Sequence, residues 1–215
     1  MAIAEPSVSR RALSKERRRQ QLIDATIKCI SNKGLGGLTL ADVAREAGLS
    51  QGIINLHFNS KDNLLSETLR FLIEDYDAQF MKIVDKWPDD AARTLLALME
   101  MDFKPAICDR KKLAVWFAFW GEAKAVPTYQ KICEAYDDKF WEIISRLCDR
   151  IIEEGNYPDI DAVTAADALS SLTDGLWLTC LINPKSIDRK QAMNCVLSYL
   201  RVVFPDHYNN EEHPA

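Results

Sequence analysis

Aromatic side chains and a carboxylate in the second half of the chain have the chemistry of a binding site for an organic cation. Trp116 and Trp120 are four residues apart, so one turn of a helix would align their indole rings. Trp177 lies close to Asp174 in the sequence TDGLWL. Quaternary ammonium groups donate no hydrogen bonds, so proteins bind them with aromatic faces and a nearby carboxylate. Aromatic residues at this spacing more often belong to an ordinary core, and both interpretations stay open.

Polar side chains near the N-terminus suit a second kind of chemistry, the recognition of DNA bases. Gln51, Asn55 and His57 lie within QGIINLHF, a stretch of about two helical turns. Ile54 and Phe58 recur on another side of the same predicted helix. Amide side chains pair with base edges in the major groove, and Gln favours adenine. The pattern therefore predicts a helix that packs on one side and contacts bases on the other.

The sequence lacks the motifs on which catalysis usually depends. It has no Glu-x-x-His pair, no glycine-rich phosphate loop and no serine elbow. Six cysteines without a Cys-x-x-Cys pair favour reduced, buried thiols, and three dispersed histidines are too few for a metal cluster. We expect no enzymatic activity, metal or cofactor, although an all-helical enzyme remains the alternative from a different class.

The predicted recognition helix belongs to a helix-turn-helix between residues 39 and 61. Ala44 and Ala47 lie on the first helix, Gly48 provides the sharp turn, and Ser50 can cap the second helix. We expect the small side chains of Ala44 and Gly48 to let the two helices cross closely. The same geometry occurs within all-helical enzymes and helical repeats, so the motif by itself does not decide between these classes.

The elements around this motif form a small basic domain and a larger acidic one. Residues 1–70 contain 11 Lys or Arg and 7 Asp or Glu, a net charge of +4, whereas the remaining residues carry −9. We predict a disordered basic arm at 1–14, including part of the sequence RRALSKERRR, and a DNA-binding domain at 15–60. A long helix capped by Ser60 follows, and its first residue, Lys61, is placed to contact a phosphate.

The rest of the chain is predicted to be helical, which makes the fold all-α. Prolines and one glycine bound five segments, at about 90–103, 111–124, 127–154, 160–182 and 187–203. We assign residues 61–205 to an effector-binding and dimerisation domain and 206–215 to a flexible tail. An apolar stripe in 127–154 and small residues at Ala168, Ser171 and Gly175 predict a four-helix dimer interface, unless both face the monomer core.

No run of about 18 apolar residues is present, which predicts no membrane span. The polar, basic N-terminus has no apolar stretch of the kind found in signal peptides. We therefore expect a cytoplasmic protein.

The helix-turn-helix carries a recognisable family signature. It resembles the TetR family of bacterial repressors in the following residues: Thr39, Val43, Ala44, Ala47, Gly48, Ser50, Gly52, His57, Phe58, Lys61 and Leu64. Asn55 departs from the pattern, since most members have Tyr there. The resemblance implies a homodimer bound to a double-stranded palindromic operator. It implies base contacts by Gln51, Ile53, Asn55 and His57, and phosphate contacts by Thr39, Ser50 and Lys61. Gly52 is also implied to lie at the DNA.

Segments outside this motif narrow the resemblance. RRRQQLIDATIKCI, AVWFAFWGEAKAVPTYQKI and LTDGLWLTCLINPKSIDRKQA are similar to the choline-responsive branch of the family. This implies control of choline uptake and glycine betaine synthesis, with repression relieved by choline. Another inducer, such as a drug-like cation, a sulfonium osmolyte or an acyl compound, remains the alternative. The residues expected to bind the inducer are Trp116, Phe119, Trp120, Tyr129, Asp174 and Trp177, with Glu122 as a weaker candidate for the carboxylate.

Overall fold

The computed structural model describes residues 10–209, with side chains from residue 14 onward. All regular structure in that part of the chain is helical, which confirms the all-α prediction. The helices are α1 (Arg10–Lys33), α2 (Leu40–Ala47), α3 (Gln51–Phe58), α4 (Lys61–Val84), α5 (Ala91–Asp102), α6 (Arg110–Glu122), α7 (Pro127–Gly155), α8 (Ala162–Ile182), α9 (Arg189–Val203) and α10 (Pro205–Tyr208). None of these described helices has the length and hydropathy that crossing a membrane requires.

The chain divides into a smaller unit, Met1–Phe71, and a larger unit, Leu72–Ala215. We predicted the boundary at the start of α4, but it falls inside that helix. The reason is that Leu64 and Leu69, in the first half of α4, are fully buried apolar residues of the smaller unit. The first half of α4 therefore belongs with the helix-turn-helix, and its second half with the effector domain.

Helix α1 begins earlier than the sequence suggested. The predicted arm covered residues 1–14, of which residues 1–9 lie outside the described part of the chain. Residues 10–14 are helical, because the stretch from Arg10 to Lys33 contains neither Gly nor Pro and is rich in good helix formers. The buried residues Leu22, Ile23 and Ile30 then pack this helix into the smaller unit.

The turn between α2 and α3 depends on backbone conformation rather than on close packing. Gly48 caps α2 at φ 63°, in the left-handed region that favours glycine. An added Cβ at Gly48 would meet no atom within 4 Å, so the predicted close crossing at this residue is wrong. Ser50 occupies the N-cap position of α3, but its side chain makes no capping hydrogen bond. Ser60, as predicted, accepts a hydrogen bond from the amide of Asn63 at 3.1 Å.

The larger unit has a continuous core to which α4 through α10 contribute. The apolar stripe of α7 packs into this core, since Leu147 and Ile151 are buried there and Phe140 and Ile143 pack against it. The stripe therefore faces the interior of the monomer, and the part of the dimer prediction that relied on it is wrong. On α8, by contrast, Ser171 and Gly175 remain exposed.

The C-terminal end is more ordered than predicted. We expected a flexible tail over 206–215, yet α10 extends to Tyr208 and packs against the core. The Tyr208 ring is buried, and its hydroxyl donates a hydrogen bond to the carbonyl of Ala92 at 2.8 Å. An aromatic ring with a satisfied hydroxyl holds this short helix in place. Residues 210–215 lie outside the described part of the chain.

Candidate functional site

The larger unit contains a cavity of about 510 Å³. Four of the residues predicted to bind a ligand line it, namely Trp116, Trp120, Asp174 and Trp177. These residues come from α6 and α8, and the sequence separates the two groups by more than fifty positions. The fold therefore brings together the two parts of the predicted cation site.

The cavity is lined with aromatic rings that hold one another in fixed orientations. The ring centroids of Trp116 and Trp120 are 6.1 Å apart at an interplanar angle of 47°. Tyr76, on α4, meets Trp116 and Trp177 edge-on, with centroid distances of 6.5 Å and 6.3 Å. Phe140, on α7, contacts the Tyr76 ring at 5.1 Å. Edge-to-face packing of this kind stabilises the relative orientation of the rings.

A hydrogen bond fixes the indole of Trp177. Its Nε1 donates to the backbone carbonyl of Asp102 at 3.0 Å, and both residues are buried. The side chain of Asp102 accepts a second hydrogen bond, from the hydroxyl of Tyr76 at 2.7 Å. Asp102 thus connects an aromatic ring from α4 with one from α8.

Carboxyl groups give the cavity an acidic lining. Besides Asp102 and Asp174, Glu134 and Asp137 from α7 contribute to it. Burial raises the pKa of Asp102 to about 7, with a further upward effect from Asp174 and an opposing one from the Tyr76 hydrogen bond. Partial loss of hydration, followed by the charge of Asp137, raises the pKa of Asp174 to about 6. The arrangement favours a ligand with positive charge and an apolar surface.

Two residues predicted to bind the ligand are not at the surface of the cavity. Phe119 is fully buried, and its ring packs edge-on against Tyr129 at 5.1 Å. Neither lines the cavity. Successive residues on a helix are turned by about 100°, so Phe119 points away from the side that Trp120 presents. Glu122, the weaker candidate for the carboxylate, is exposed and also lies outside the lining.

Several lining residues were not predicted, chiefly Tyr76, Asp102, Asp137 and Phe140. Tyr76 and Phe140 belong to apolar stripes that sequence periodicity assigns to the core, so nothing separated them from packing residues. Asp102 did carry a signal. It ends the stretch LLALMEMD, where it follows Met99 by three residues and so shares the apolar face of the helix, a position where charged residues are rare.

In the smaller unit, only some of the α3 residues that were predicted to contact DNA are exposed. Gln51, Gly52 and Asn55 are exposed, whereas Ile53 and His57 are half-buried. Leu56, which was not predicted, has 71% of its surface exposed. Leu56 follows Gly52 by four residues and therefore lies on the same exposed side of α3. Its exposure, and not its side-chain type, identifies it as a further residue of this surface.

Basic residues of α1 lie near His57, close to the end of α3. The pKa of His57 is lowered, mainly by burial and then by the positive charges of Lys15 and Arg18. These charges lie close enough to His57 to disfavour a second positive charge there. The clustering agrees with a surface that meets a polyanion.

Two of the three predicted phosphate-binding residues, Thr39 and Lys61, already have hydrogen-bond partners within the unit. The hydroxyl of Thr39 accepts from the Asp42 amide at 3.2 Å, and the Asp42 carboxylate accepts from the Thr39 amide at 3.3 Å, which together form a capping box. The Thr39 hydroxyl also donates to the Asp42 carboxylate at 2.8 Å. The Lys61 ammonium donates to the carbonyl of Leu38 at 2.6 Å. An ammonium carries three protons, so Lys61 retains donors for a phosphate, while Thr39 would have to exchange a bond. Their contacts with DNA stay predictions.

Comparison with known proteins identifies both halves of the chain. Residues 22–68 match the bacterial regulatory proteins of the tetR family, and residues 91–205 match the C-terminal domain of BetI-type transcriptional repressors. The HTH-type transcriptional regulator BetI 2 of Chromohalobacter salexigens is 32% identical over 184 residues, which cover 85% of this chain and 86% of that protein.

Solved structures show the same architecture. A proposed transcriptional regulator from Pseudomonas aeruginosa superposes with a TM-score of 0.78 at 28% identity, covering 90% of this chain and 93% of that one. A regulator from Saccharomonospora viridis, solved in complex with choline, has a TM-score of 0.73 at 24% identity and covers 86% and 96% of the two chains. The chain therefore belongs to the TetR family of transcriptional regulators, and its C-terminal domain is of the BetI repressor type.

Proposed function

We propose that the protein represses genes for choline uptake and glycine betaine synthesis, and that choline or a related quaternary ammonium compound releases it from a palindromic operator. The observation that carries this proposal is the cavity whose lining combines Trp116, Trp120 and Trp177 with acidic side chains. The choline complex of the Saccharomonospora viridis relative supports the same class of ligand. On this proposal the protein regulates transcription in the cytoplasm and catalyses no reaction.

The DNA-binding role is assigned to α3 and its neighbours. Gln51 and Asn55, both exposed, are proposed to contact bases, together with the half-buried side chains of Ile53 and His57. Lys61, Ser50 and Thr39 are proposed to hold phosphates. The surrounding charges of Lys15 and Arg18 add an attraction that does not depend on sequence.

A homodimer is proposed to form through α8 and α9. Ile182 and Val202 are 70% and 81% exposed, and Leu178 is also exposed. The backbone at Gly175 has open space above it, since a Cβ added there would meet no atom within 4 Å. Apolar side chains and small residues on adjacent helices suit a four-helix interface with a second copy, and a two-fold protein matches a two-fold operator.

Ligand and DNA are proposed to communicate through α4. This helix begins at Lys61 in the smaller unit and carries Tyr76 into the cavity wall of the larger one. A cation that favours one packing around Tyr76 would change the separation of the two recognition helices from the roughly 34 Å that successive major grooves require. The ligand has this effect only if it binds the two packings with different affinities.

A two-part experiment tests the proposal. Operator sequences are selected from random double-stranded DNA, and their release by choline is followed by fluorescence anisotropy. Tryptophan fluorescence of the protein is titrated with choline in parallel, for the wild type and for Trp120→Ala. We expect choline to weaken operator binding, and operator to weaken choline binding by the same factor, because linkage is reciprocal. Equal choline affinity with and without operator would refute the mechanism.

The identity of the inducer is tested with a panel of ligands. Sulfonium osmolytes, larger organic cations and fatty acyl compounds are compared with choline in the same release assay. The acidic lining favours the cations over an acyl carboxylate, which the carboxyl groups of the cavity would repel. If an acyl compound but no cation released the operator, the inducer would be an acyl compound instead of choline. The repressor role would still stand.

A further inference from the structure

One carboxyl group of the cavity differs from the others in its surroundings. Asp102 is 4% exposed, whereas Glu134, Asp137 and Asp174 are all exposed to solvent. Asp102 therefore lies in the most buried part of the lining, and the other three lie nearer to solvent, although partial burial also raises the pKa of Asp137 and Asp174. A charge in water is screened, so an exposed carboxylate attracts a ligand weakly, while a buried one attracts it strongly.

The buried carboxyl of Asp102 lacks a positively charged partner. Its side chain is hydrogen-bonded by the Tyr76 hydroxyl, and no lysine, arginine or histidine is among the described residues that line the cavity. A buried carboxylate normally requires a counter-charge, because one hydrogen bond does not replace the hydration it has lost. The group nevertheless faces a cavity large enough for a small organic cation and walled by aromatic rings.

We propose that Asp102, rather than Asp174, is the carboxylate that binds the positive group of the ligand, and that the ligand displaces a proton which Asp102 carries in the empty cavity. This inference rests on the proposed function, since it takes an organic cation as the ligand. Tyr76 keeps the carboxyl oriented by donating to Oδ1, which leaves Oδ2 for the ligand. The displaced proton passes to the solvent.

Several ionisable groups lie around Asp102, of which Tyr76 lowers its pKa through a hydrogen bond and Asp174 raises it through charge. They are Tyr76 on α4, Glu134 and Asp137 on α7, Asp174 on α8, and Cys108 after α5. None of them carries positive charge, so none stabilises the ionised carboxyl of Asp102 through charge. The pKa of about 7 given by burial agrees with a group that is partly protonated at neutral pH until a cation enters.

The charge of the ligand is therefore predicted to decide its affinity. Choline has a quaternary ammonium group and a neutral hydroxyl, whereas glycine betaine pairs the same ammonium with a carboxylate. That carboxylate would face the acidic lining without a basic residue to accept it. 3,3-Dimethylbutan-1-ol has the shape of choline but no charge. We expect choline to bind more tightly than either compound.

The experiment measures the dissociation constant of choline at pH 6 and pH 8 by tryptophan fluorescence. For the wild type we expect affinity to rise about tenfold between these values, since a carboxyl with a pKa near 7 goes from about one tenth to about nine tenths ionised. Asp102→Asn is expected to lose at least about tenfold in affinity at pH 8, together with most of the pH dependence. Asp174→Asn is expected to lose less than Asp102→Asn.

A control variant and a calorimetric measurement separate the effect of Asp102 from a general loss of binding. Asp138→Asn removes an exposed carboxylate next to Asp137 that does not line the cavity, and it should retain wild-type affinity at both pH values. Calorimetry of the unmodified protein at pH 7, in two buffers with different heats of ionisation, tests the proton directly. We expect the measured heat to depend on the buffer by the amount that corresponds to release of about half a proton per choline.

The outcomes distinguish this inference from the proposed function. Any one of three results would overturn the inference and leave the repressor role standing. They are wild-type choline binding that does not depend on pH, choline binding that is unchanged in Asp102→Asn, and binding of 3,3-dimethylbutan-1-ol that is as tight as that of choline. Absence of saturable choline binding by the wild type at both pH values would overturn choline as the ligand and the inference with it.

Discussion

The hydroxyl of Tyr76 donates a hydrogen bond to Oδ1 of Asp102 at 2.7 Å, which links α4 to the last residue of α5 in the lining of the cavity. This bond holds the pKa of Asp102 below the value that burial by itself would produce. Tyr76→Phe keeps the ring and removes the bond, so we expect the pH midpoint of choline binding to move upward. Fluorescence titrations across pH measure this midpoint.

Tyr199→Phe is the matched control for that variant, because it removes a hydroxyl from a residue outside the cavity lining. Its midpoint should equal that of the wild type. A Tyr76→Phe midpoint that stays in place would show that the hydroxyl does not influence the carboxyl of Asp102.

The stability of the ligand-free protein should depend on pH through Asp102. Its pKa is raised from 3.8 to about 7 in the folded protein, so the folded state retains a proton that the unfolded state loses. Stability from this residue is therefore present below about pH 4 and declines as pH rises towards 7. Asp102→Asn removes the decline, and we expect the variant to gain on the wild type by up to about 4 kcal/mol between pH 4 and pH 8.

Urea unfolding of both proteins at several pH values measures this difference. Comparison of the two proteins cancels the contribution of other ionisable groups, such as Asp42, whose pKa is lowered mainly by hydrogen bonds from Lys33 and Thr39. Parallel stability curves for the wild type and Asp102→Asn would contradict the prediction.

The capping box at the start of α2 should control the local stability of the helix-turn-helix. Thr39→Ala removes the acceptor for the Asp42 amide, which typically costs about 1 kcal/mol. Hydrogen exchange of the first α2 amides is then expected to accelerate roughly fivefold. Thr39→Ser retains the hydroxyl and should exchange at close to the wild-type rate. Equal rates for the Ala and Ser variants would show that the cap does not stabilise α2.

Leu56 is predicted to contact a thymine methyl group if α3 enters the major groove. Its side chain is 71% exposed, and apolar side chains read that methyl group in the major groove. Leu56→Ala should weaken binding to the selected operator severalfold, and replacing the contacted thymine by deoxyuridine should have the same effect. The two changes together should be no worse than either one, because each removes the same contact. Additive losses would exclude the contact.

The proposed dimer interface is tested by adding charge to it. Ile182 is 70% exposed on α8, and Ile182→Asp would place a carboxylate in an apolar contact between two copies. Sedimentation analysis should show dissociation to monomers at concentrations where the wild type is dimeric. Leu56→Asp introduces the same charge at an exposed apolar residue of the smaller unit and should leave the dimer intact. A dimeric Ile182→Asp variant would place the interface elsewhere.

The helices and their order were predictable because each has a strong local signal. Prolines and one glycine bound the segments that became α5 through α9, and these segments read as helical. Asp161 and Asp188, for example, both accept hydrogen bonds as N-caps at places where the sequence already suggested that a helix begins. Such signals depend on residues close together in the chain, which a single sequence contains.

The candidate site was predictable only in part, for a related reason. The spacing of Trp116 and Trp120 indicated a binding site, and so did the position of Trp177 close to Asp174. Tyr76 and Phe140 did not, because contact between α4 and α7 depends on tertiary packing that periodicity does not describe. The direction of the α7 stripe could not be deduced either, since an apolar helix face looks the same whether a core or a second subunit covers it.

The distribution of the cysteines has a practical consequence. Cys29, Cys108, Cys133, Cys148 and Cys180 are buried, and Cys195 on α9 is exposed. The native chain thus offers one accessible thiol to a maleimide probe, without any engineered substitution. A spin label attached there would report the distance between two copies by pulsed resonance, and protection of the thiol from labelling would itself map how closely α9 approaches its counterpart.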